Sequence, residues 1–282
     1  MATRLFPGEA RSLELEAWQR EGSRAIAADV GAWSRKGAAR LVNEDFYASA
    51  TLSLSRGRVG GPLFLAVADG LGGEEAGERA SRLATQSMVD RLCALPASRI
   101  ERGAEELLQD AFMAAHWEVV NDGKADFGRW GMATTLTAAL VLWPRVHIIH
   151  AGDSRVYRLH RGNLRQLTLD HTVAEVLVAR GQLSRVAARV SRYRHILWNH
   201  LGGEARLPEP QTASVDLEPG DGLLLATDGL TEAFRDSELA ERVSRPCSAH
   251  AVCHMLIEEA QTRGTRDDAT ALFARFDPPA PS

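Results

Sequence analysis

Strand-like and helical stretches alternate in groups along this sequence, and the grouping restricts the fold more than any other feature. Apolar, strand-like runs are predicted at 46–54, 64–68, 134–143, 146–151, 155–160, 164–167, 212–217, 222–227 and 269–276. Helical spacing predicts helices at 73–96, 100–120 and 248–262, and turn residues predict a loop at 121–131. Because the helices come in pairs rather than singly after each strand, the order predicts an α+β fold of two packed antiparallel sheets covered by helices.

The chain divides into one large segment and two short flanks. Its 282 residues are compatible with a single large domain. Residues 13–17 alternate between apolar and polar side chains and are followed by a second run at 25–30, which predicts an edge hairpin. We therefore expect an N-terminal extension at 1–23 with an edge strand, a main domain at 24–276, and a disordered tail at 277–282.

Composition excludes several classes of function. The chain is 45% hydrophobic and 25% charged, which is typical of a globular protein rather than a disordered one. A net charge of −4 gives no basic excess for nucleic acid, and no apolar run reaches the ~18 residues that span a membrane. Three cysteines without metal-ligand spacing are typical of a reducing compartment. We expect a cytoplasmic monomer that binds neither nucleic acid nor membranes.

Acidic residues recur where apolar strands end. Asp69, Asp153 and Asp228 each lie beside a glycine at the end of such a run, and the pairs Glu44-Asp45 and Asp267-Asp268 precede two others. A single Asp-Gly is usually a surface turn, but recurrence at five strand ends is a different observation. The sequence therefore predicts that carboxylates from distant segments meet at one end of the sheets.

Such a carboxylate cluster requires a counter-charge. At ~4 Å and an effective dielectric constant of about 20, two like charges repel by roughly 4 kcal/mol. Ligation by oxygen alone favours Mg²⁺ or Mn²⁺ over Zn²⁺. A pair of such ions can activate water for in-line displacement at phosphorus, so phosphate ester hydrolysis is the predicted chemistry.

Seven short motifs now identify a resemblance. They occur in the order RLVNED (40–45), VADGLGG (67–73), GMATTL (131–136), GDSRVY (152–157), LTLDHT (167–172), PGD with ATDGL (219–221 and 226–230), and DDAT (267–270). In this order they resemble the metal-dependent protein serine/threonine phosphatases of the type 2C, or PPM, family in its bacterial form. The resemblance covers about residues 24–276 and implies an αββα sandwich with a binuclear site between its two sheets.

The resemblance also implies roles for the acidic residues. Asp69 would bridge two ions of Mn²⁺ or Mg²⁺, Asp228 and Asp267 would complete one ion, and Glu44 with the Gly70 carbonyl would serve the other. Glycine at position 70 would let the backbone approach the ion closely. The other implied roles are a metal-bound water held by Asp45 and a third, weaker ion bound by Asp153 with Asp228.

Arg40 completes the catalytic set that the resemblance implies, together with Asp45, Asp69 and Asp228. It would hold the substrate phosphate with a bidentate guanidinium fork that lysine would not reproduce. No side chain is assigned as the general acid, because Leu71 stands where animal members carry a histidine. Asp268 replaces the family's usual asparagine, and we expect the extra charge to alter metal binding.

Residues 172–200 resemble the flap of bacterial members, a segment beside the site that influences substrate choice; the alternative is a pair of ordinary surface helices. Its arginines are candidates for attracting acidic phosphopeptides; they are Arg180, Arg185, Arg189, Arg192 and Arg194. Histidines such as His195 are interpreted as structural.

The predicted function is hydrolysis of phosphoserine and phosphothreonine in proteins by a metal-activated water, in opposition to a cognate serine/threonine kinase. Two alternatives stay open. One is a catalytically weak pseudophosphatase that serves as a binding scaffold, and the other is a regulator phosphatase acting on anti-anti-sigma proteins.

Overall fold

The computed structural model describes residues 4–5, 13–18, 26–52, 61–73, 75–204 and 206–278. The strands, in chain order, are β1 (Arg4–Leu5), β2 (Leu13–Trp18), β3 (Ile26–Arg35), β4 (Asp45–Thr51), β5 (Leu63–Leu71), β6 (Ala133–Thr134), β7 (Leu136–Leu142), β8 (Arg145–Ala151), β9 (Arg155–His160), β10 (Asn163–Gln166), β11 (Leu201–Gly202), β12 (Gln211–Asp216), β13 (Gly222–Ala226) and β14 (Ala269–Asp277). The helices are α1 (Glu75–Cys93), α2 (Ala97–Ala125), α3 (Val173–Ala179), α4 (Arg185–Arg189), α5 (Asp228–Thr231), α6 (Asp236–Val243) and α7 (Ala249–Thr262).

The strands form two antiparallel sheets. The first has the order β1-β4-β5-β7-β8-β12, and the short strand β6 joins β5 to β11 beside it. The second has the order β10-β9-β13-β14-β3-β2. The strand β2, within the predicted N-terminal extension, is therefore the edge strand beside β3.

The sheets pack against each other, and helices cover both outer faces. In β5, Leu65 and Val67 lie in the core between the sheets, whereas Phe64 and Ala66 face α1 and α2. The strands β13 and β14 divide their side chains in the same way between the central core and the core beneath α6 and α7. A strand that is buried on both faces has a nearly continuous run of apolar residues in its sequence. For this reason the sequence of β5 does not alternate between apolar and polar residues. The predicted αββα sandwich is confirmed.

Two boundaries differ from those expected from the sequence. The predicted loop at 121–131 is wrong in its first part, because α2 continues to Ala125. Asp122 pairs with Arg79 of α1 and with Arg129, and these long-range contacts hold a helical turn that lacks apolar periodicity. Asp277 was assigned to the disordered tail, but it lies in β14 and pairs with Ala27.

Short helices near the site were also missed, since α5 and α6 are too short to show a helical period. The last four residues lie outside the described residues. None of the helices described here combines the length and apolar character needed to cross a membrane.

Candidate metal centre

The acidic side chains lie at or next to strand ends, at one end of the sandwich. Asp45 begins β4 and lies directly opposite Asp69 of β5 in the antiparallel register. Asp228 is the first residue of α5 and is separated from the end of β13 by one residue, and Asp153 is separated from the end of β8 by Gly152. Ligand atoms of Asp69, Asp153 and Asp228 all lie within 4.8 Å of one another. The structure therefore brings together carboxylates that are separated by 84 and 75 residues in the sequence (153 − 69 and 228 − 153).

These carboxyl groups are destabilised as anions. Burial raises the pKa of Asp69 well above its usual range, and repulsion from Asp45, Asp228, Asp153 and Asp267 raises it further. Burial likewise raises the pKa of Asp153, followed by repulsion from Asp228. Since desolvation and like charges both penalise the ionised forms, the cluster has a strong electrostatic preference for cations.

The side chain of Asp45 is held by two hydroxyl groups. Thr227 and Thr270 each donate a hydrogen bond of 2.7 Å to Oδ2 of Asp45. Its other oxygen, Oδ1, is buried and has no hydrogen-bond partner among the described residues, and the same is true of Oδ1 of Asp228. Unpaired buried carboxylate oxygens are costly, and an all-oxygen donor set of this kind fits a hard divalent cation. Both threonines lie inside the recognised motifs, but sequence reasoning assigned them no role.

Arg40 lies between two of the remaining acidic residues. Its Nε and one terminal nitrogen each lie 2.7 Å from Oδ1 of Asp267, and its other terminal nitrogen donates to Oε2 of Glu44 at 3.2 Å. Burial is the largest single influence on the pKa of Arg40, and it lowers that pKa. The hydrogen bond and the attraction to Asp267, together with the attraction to Glu44 and Asp268, outweigh burial, so the pKa of Arg40 is raised. Glu44 and Asp267 are thus joined through Arg40, and Asp267 is close enough to Asp69 to raise the pKa of its carboxyl group.

Both side-chain oxygens of Asp268 bind the backbone near Arg40 and Glu44. It accepts hydrogen bonds from the backbone N–H of Gly37 at 2.8 Å and from that of Glu44 at 2.7 Å, one on each oxygen. Both bonds require acceptors, which a carboxylate provides on both atoms and an amide on only one. Its negative charge therefore fixes the segment that carries Arg40 and Glu44.

Gly70 is required by packing against α1. A Cβ atom at this position would lie 2.1 Å from the carbonyl oxygen of Gly77, and the Gly70 N–H donates to the Glu44 carbonyl at 3.1 Å. At Gly77, in turn, a Cβ would lie 2.8 Å from the Glu44 side chain. The first turn of α1 therefore approaches the site as closely as backbone atoms allow, which is a steric reason for both glycines.

We expect Gly70→Ala to destabilise the protein by at least about 2 kcal/mol, because the added methyl group meets backbone atoms that cannot move independently. The measurement is denaturant unfolding in the absence of metal. Gly103→Ala is the control, since the atom nearest to its added Cβ is a glutamate side-chain oxygen at 3.9 Å, and we expect a change of less than about 1 kcal/mol. Equal stability of the Gly70 variant and the wild type would contradict the close approach of β5 and α1.

His195 is a site residue that sequence reasoning interpreted as structural. Its Nδ1 lies 3.6 Å from Oδ2 of Asp228 and 3.6 Å from Oε1 of Glu232. The interaction with the Asp228 carboxylate is the largest cause of the raised pKa of His195. The position of His195 depends on how the segment 172–200 packs against α5. The spacing of residues in the sequence does not predict this packing.

The segment 172–200 is closed at its base by backbone contacts. Thr172 forms an isolated antiparallel bridge with Leu197, and the Trp198 N–H donates to the His171 carbonyl at 3.0 Å. His171 in turn donates its backbone N–H to the Gly152 carbonyl at 2.7 Å, one residue before Asp153. The helices α3 and α4 lie within this closed segment, so it joins the metal centre through His171 and His195.

Comparisons with known proteins identify the family to which this chain belongs. A family model described as protein phosphatase 2C matches residues 36–261. The chain is 33% identical over 211 residues to the serine/threonine phosphatase stp of Listeria monocytogenes serotype 4b (strain F2365), which covers 75% of this chain and 83% of that protein. It is similar to the crystal structure of the Mycobacterium tuberculosis serine/threonine phosphatase PstP/Ppp, with a TM-score of 0.77 at 30% identity over 89% of this chain and 99% of that chain.

A second similar structure contains metal. It is the catalytic domain of the serine/threonine protein phosphatase PstP in complex with two manganese ions, and it gives a TM-score of 0.74 at 30% identity, covering 89% of this chain and 99% of that chain. Because the family model spans most of the sequence and the carboxylate motifs meet in space as the resemblance implied, the chain belongs to the protein phosphatase 2C family.

Proposed function

We propose that this chain is a metal-dependent protein phosphatase that hydrolyses phosphoserine and phosphothreonine. The observation that carries the proposal is the convergence of Asp69, Asp153 and Asp228, whose ligand atoms lie within 4.8 Å of one another and whose repulsion calls for divalent cations. The names of the relatives support the protein substrate.

Two ions of Mn²⁺ or Mg²⁺ fit the donor set. Asp69 would contact both, Asp228 and Asp267 would complete one, and Glu44 with the Gly70 carbonyl would serve the other. Asp153 with Asp228 would provide a weaker third position. When bound, the ions supply Lewis acidity and an activated water for attack on phosphorus.

The protein's own residues orient the reactants. Thr227 and Thr270 hold Oδ2 of Asp45, which leaves Oδ1, without a partner among the described residues, as the oxygen that would accept a water proton. Arg40 contacts Asp267 and Glu44 through its three nitrogens, and the second N–H of each terminal nitrogen is left to donate to phosphate oxygens. Its planar guanidinium suits both, since carboxylate and phosphate present similar pairs of oxygens.

The remaining expectations belong to the same proposal. We propose that the protein is a cytoplasmic monomer, that its substrates are phosphoproteins, and that it opposes a cognate serine/threonine kinase. These proposals rest on composition and on the names of the relatives. No observation favours the two alternatives. A scaffold that had lost catalysis would not need the full carboxylate set, and no contact points to anti-anti-sigma proteins.

Removal and return of metal tests the proposal. We expect protein treated with EDTA to be inactive toward p-nitrophenyl phosphate and a phosphothreonine peptide. Millimolar Mn²⁺ should raise the rate at least about 100-fold, because a metal centre stabilises the transition state by several kcal/mol. The measurement is phosphate release, with circular dichroism to verify folding. A folded protein with no metal-stimulated turnover on either substrate would overturn the proposal.

A further inference from the structure

A groove of about 610 Å³ opens beside the metal centre. It is lined by the loop before β4, the segment 172–200, the residues that follow α5, and the turn before β14; its charged lining residues include Arg40, Arg194, Glu232, Arg263, Arg266 and Asp267. Arg40 and Asp267 form its inner end, since both contact the acidic cluster. A peptide whose phosphate reaches Arg40 would place its neighbouring residues in this groove.

Basic side chains outnumber acidic ones along the groove, but most of them are already paired. Arg40 contacts Asp267 and Glu44, Arg194 contacts Glu232 at 3.3 Å, and Arg263 contacts Glu238 at 3.0 Å and Glu259 at 2.8 Å. Arg266 differs from them. Its exposed guanidinium makes no ion pair or hydrogen bond with another residue in the described part of the chain.

The backbone around Arg266 is fixed although its side chain has no partner. The Arg266 carbonyl accepts a hydrogen bond from the Ala39 N–H at 3.1 Å, and the preceding Thr265 donates its hydroxyl hydrogen to the Gly229 carbonyl at 3.0 Å. The turn is thus attached both to the loop that carries Arg40 and to the α5 segment that carries Asp228. A fixed backbone with an unpaired cation is a suitable arrangement for binding an external anion.

We propose that Arg266 is a specificity-determining residue that binds an anionic group on the substrate close to the phosphorylated residue. This inference rests on the proposed function. The anionic group is the carboxylate of a neighbouring Asp or Glu, or a second phosphate on a neighbouring Ser or Thr, because the guanidinium fork matches both. The substrates are therefore phosphoproteins with acidic or multiply phosphorylated sequences around the target residue.

The lining of the groove also bears on the expectation that the arginines of the segment 172–200 attract acidic phosphopeptides. Of the five arginines named there, only Arg194 lines the groove, and Glu232 already pairs with it. The other four lie elsewhere on the segment, so attraction of an acidic peptide at the site falls to Arg266.

The test compares phosphothreonine peptides that differ only in the residues flanking the target. One carries Glu on both sides, one carries Gln at the same positions, one carries a second phosphothreonine, and one carries Lys. For wild-type protein with Mn²⁺, we expect kcat/KM for the Glu and doubly phosphorylated peptides to exceed that for the Gln peptide by about fivefold, the upper range for an exposed ion pair.

Arg266→Glu should remove or invert this preference and should raise the relative kcat/KM of the Lys peptide. Arg165→Glu, an exposed arginine on β10, changes the net charge equally and should keep the wild-type order of peptides. Since the readout is a ratio between peptides, a general effect on neighbouring Asp267 cancels. Preference for the second phosphate alone identifies phosphate as the anion.

An Arg266→Glu variant that keeps the wild-type ratios would overturn the inference, and so would a wild-type protein that does not distinguish the four peptides. Both results are distinguishable from failure of the proposed function, in which even the Gln peptide shows no metal-stimulated hydrolysis.

Discussion

Replacing Asp69 with Asn abolishes metal-dependent turnover and at the same time stabilises the metal-free protein. Asp69 is the carboxylate most surrounded by like charges, and its raised pKa means that ionisation opposes folding at neutral pH. Because burial and like charges disfavour the ionised carboxylate in the folded state only, we expect its removal to increase the free energy of unfolding in EDTA. An ordinary active-site substitution would lower activity without this gain in stability.

Metal reverses the order of stabilities. At a free concentration 100 times its dissociation constant, a bound ion stabilises the wild type by about 2.7 kcal/mol, and we expect Asp69→Asn to gain much less. Urea unfolding with EDTA and with Mn²⁺ measures both effects. Asp110→Asn is the matched control, because Asp110 is exposed on α2, away from the cluster. An Asp69→Asn variant that is less stable than the wild type in EDTA would contradict the electrostatic account of the site.

Replacing Arg40 with Lys lowers kcat/KM for phosphopeptides by about 10- to 100-fold, the value of a charge-assisted hydrogen bond of 1.5 to 3 kcal/mol. Lysine keeps the positive charge but loses the planar fork that contacts Asp267 with two nitrogens and Glu44 with a third. We expect the inhibition constant of inorganic phosphate to rise in parallel, because the lost contact is with phosphate oxygens.

Arg35→Lys provides the comparison for Arg40. Arg35 makes a two-oxygen contact of 2.6 Å with Glu258 on the surface, so the same chemical change occurs without a phosphate partner. Steady-state kinetics with phosphate as inhibitor separates the two variants. If Arg40→Lys leaves both kcat/KM and phosphate inhibition unchanged, Arg40 does not bind the phosphate.

The layered fold was predictable because its signals are local. The β5 run ending at Asp69-Gly70 and the helical period of α1 are visible within short windows, and their order restricts the topology. The carboxylates were predictable for a related reason, since strands that end at the same edge place their following residues together.

Other features depend on contacts between distant segments. The orientation of Asp268 toward two backbone N–H groups, the docking of His195 on Asp228 and the extension of α2 to Ala125 are set by tertiary packing. Nothing in the sequence distinguishes Arg266 from the other arginines. The difference is visible only in the structure, where the neighbouring arginines have ion-pair partners and Arg266 has none among the described residues. Short-range patterns therefore predicted that these carboxylates would meet, whereas the surface that would select substrates required coordinates.

Anomalous diffraction at the manganese absorption edge, from crystals grown with Mn²⁺, measures most directly whether divalent ions bind the carboxylate cluster. We expect anomalous peaks within about 2.5 Å of carboxylate oxygens of Asp69, with Asp228 also among the ligands. Well-ordered crystals at millimolar Mn²⁺ with no peak near Asp69, or with peaks only at exposed surface carboxylates, would contradict it.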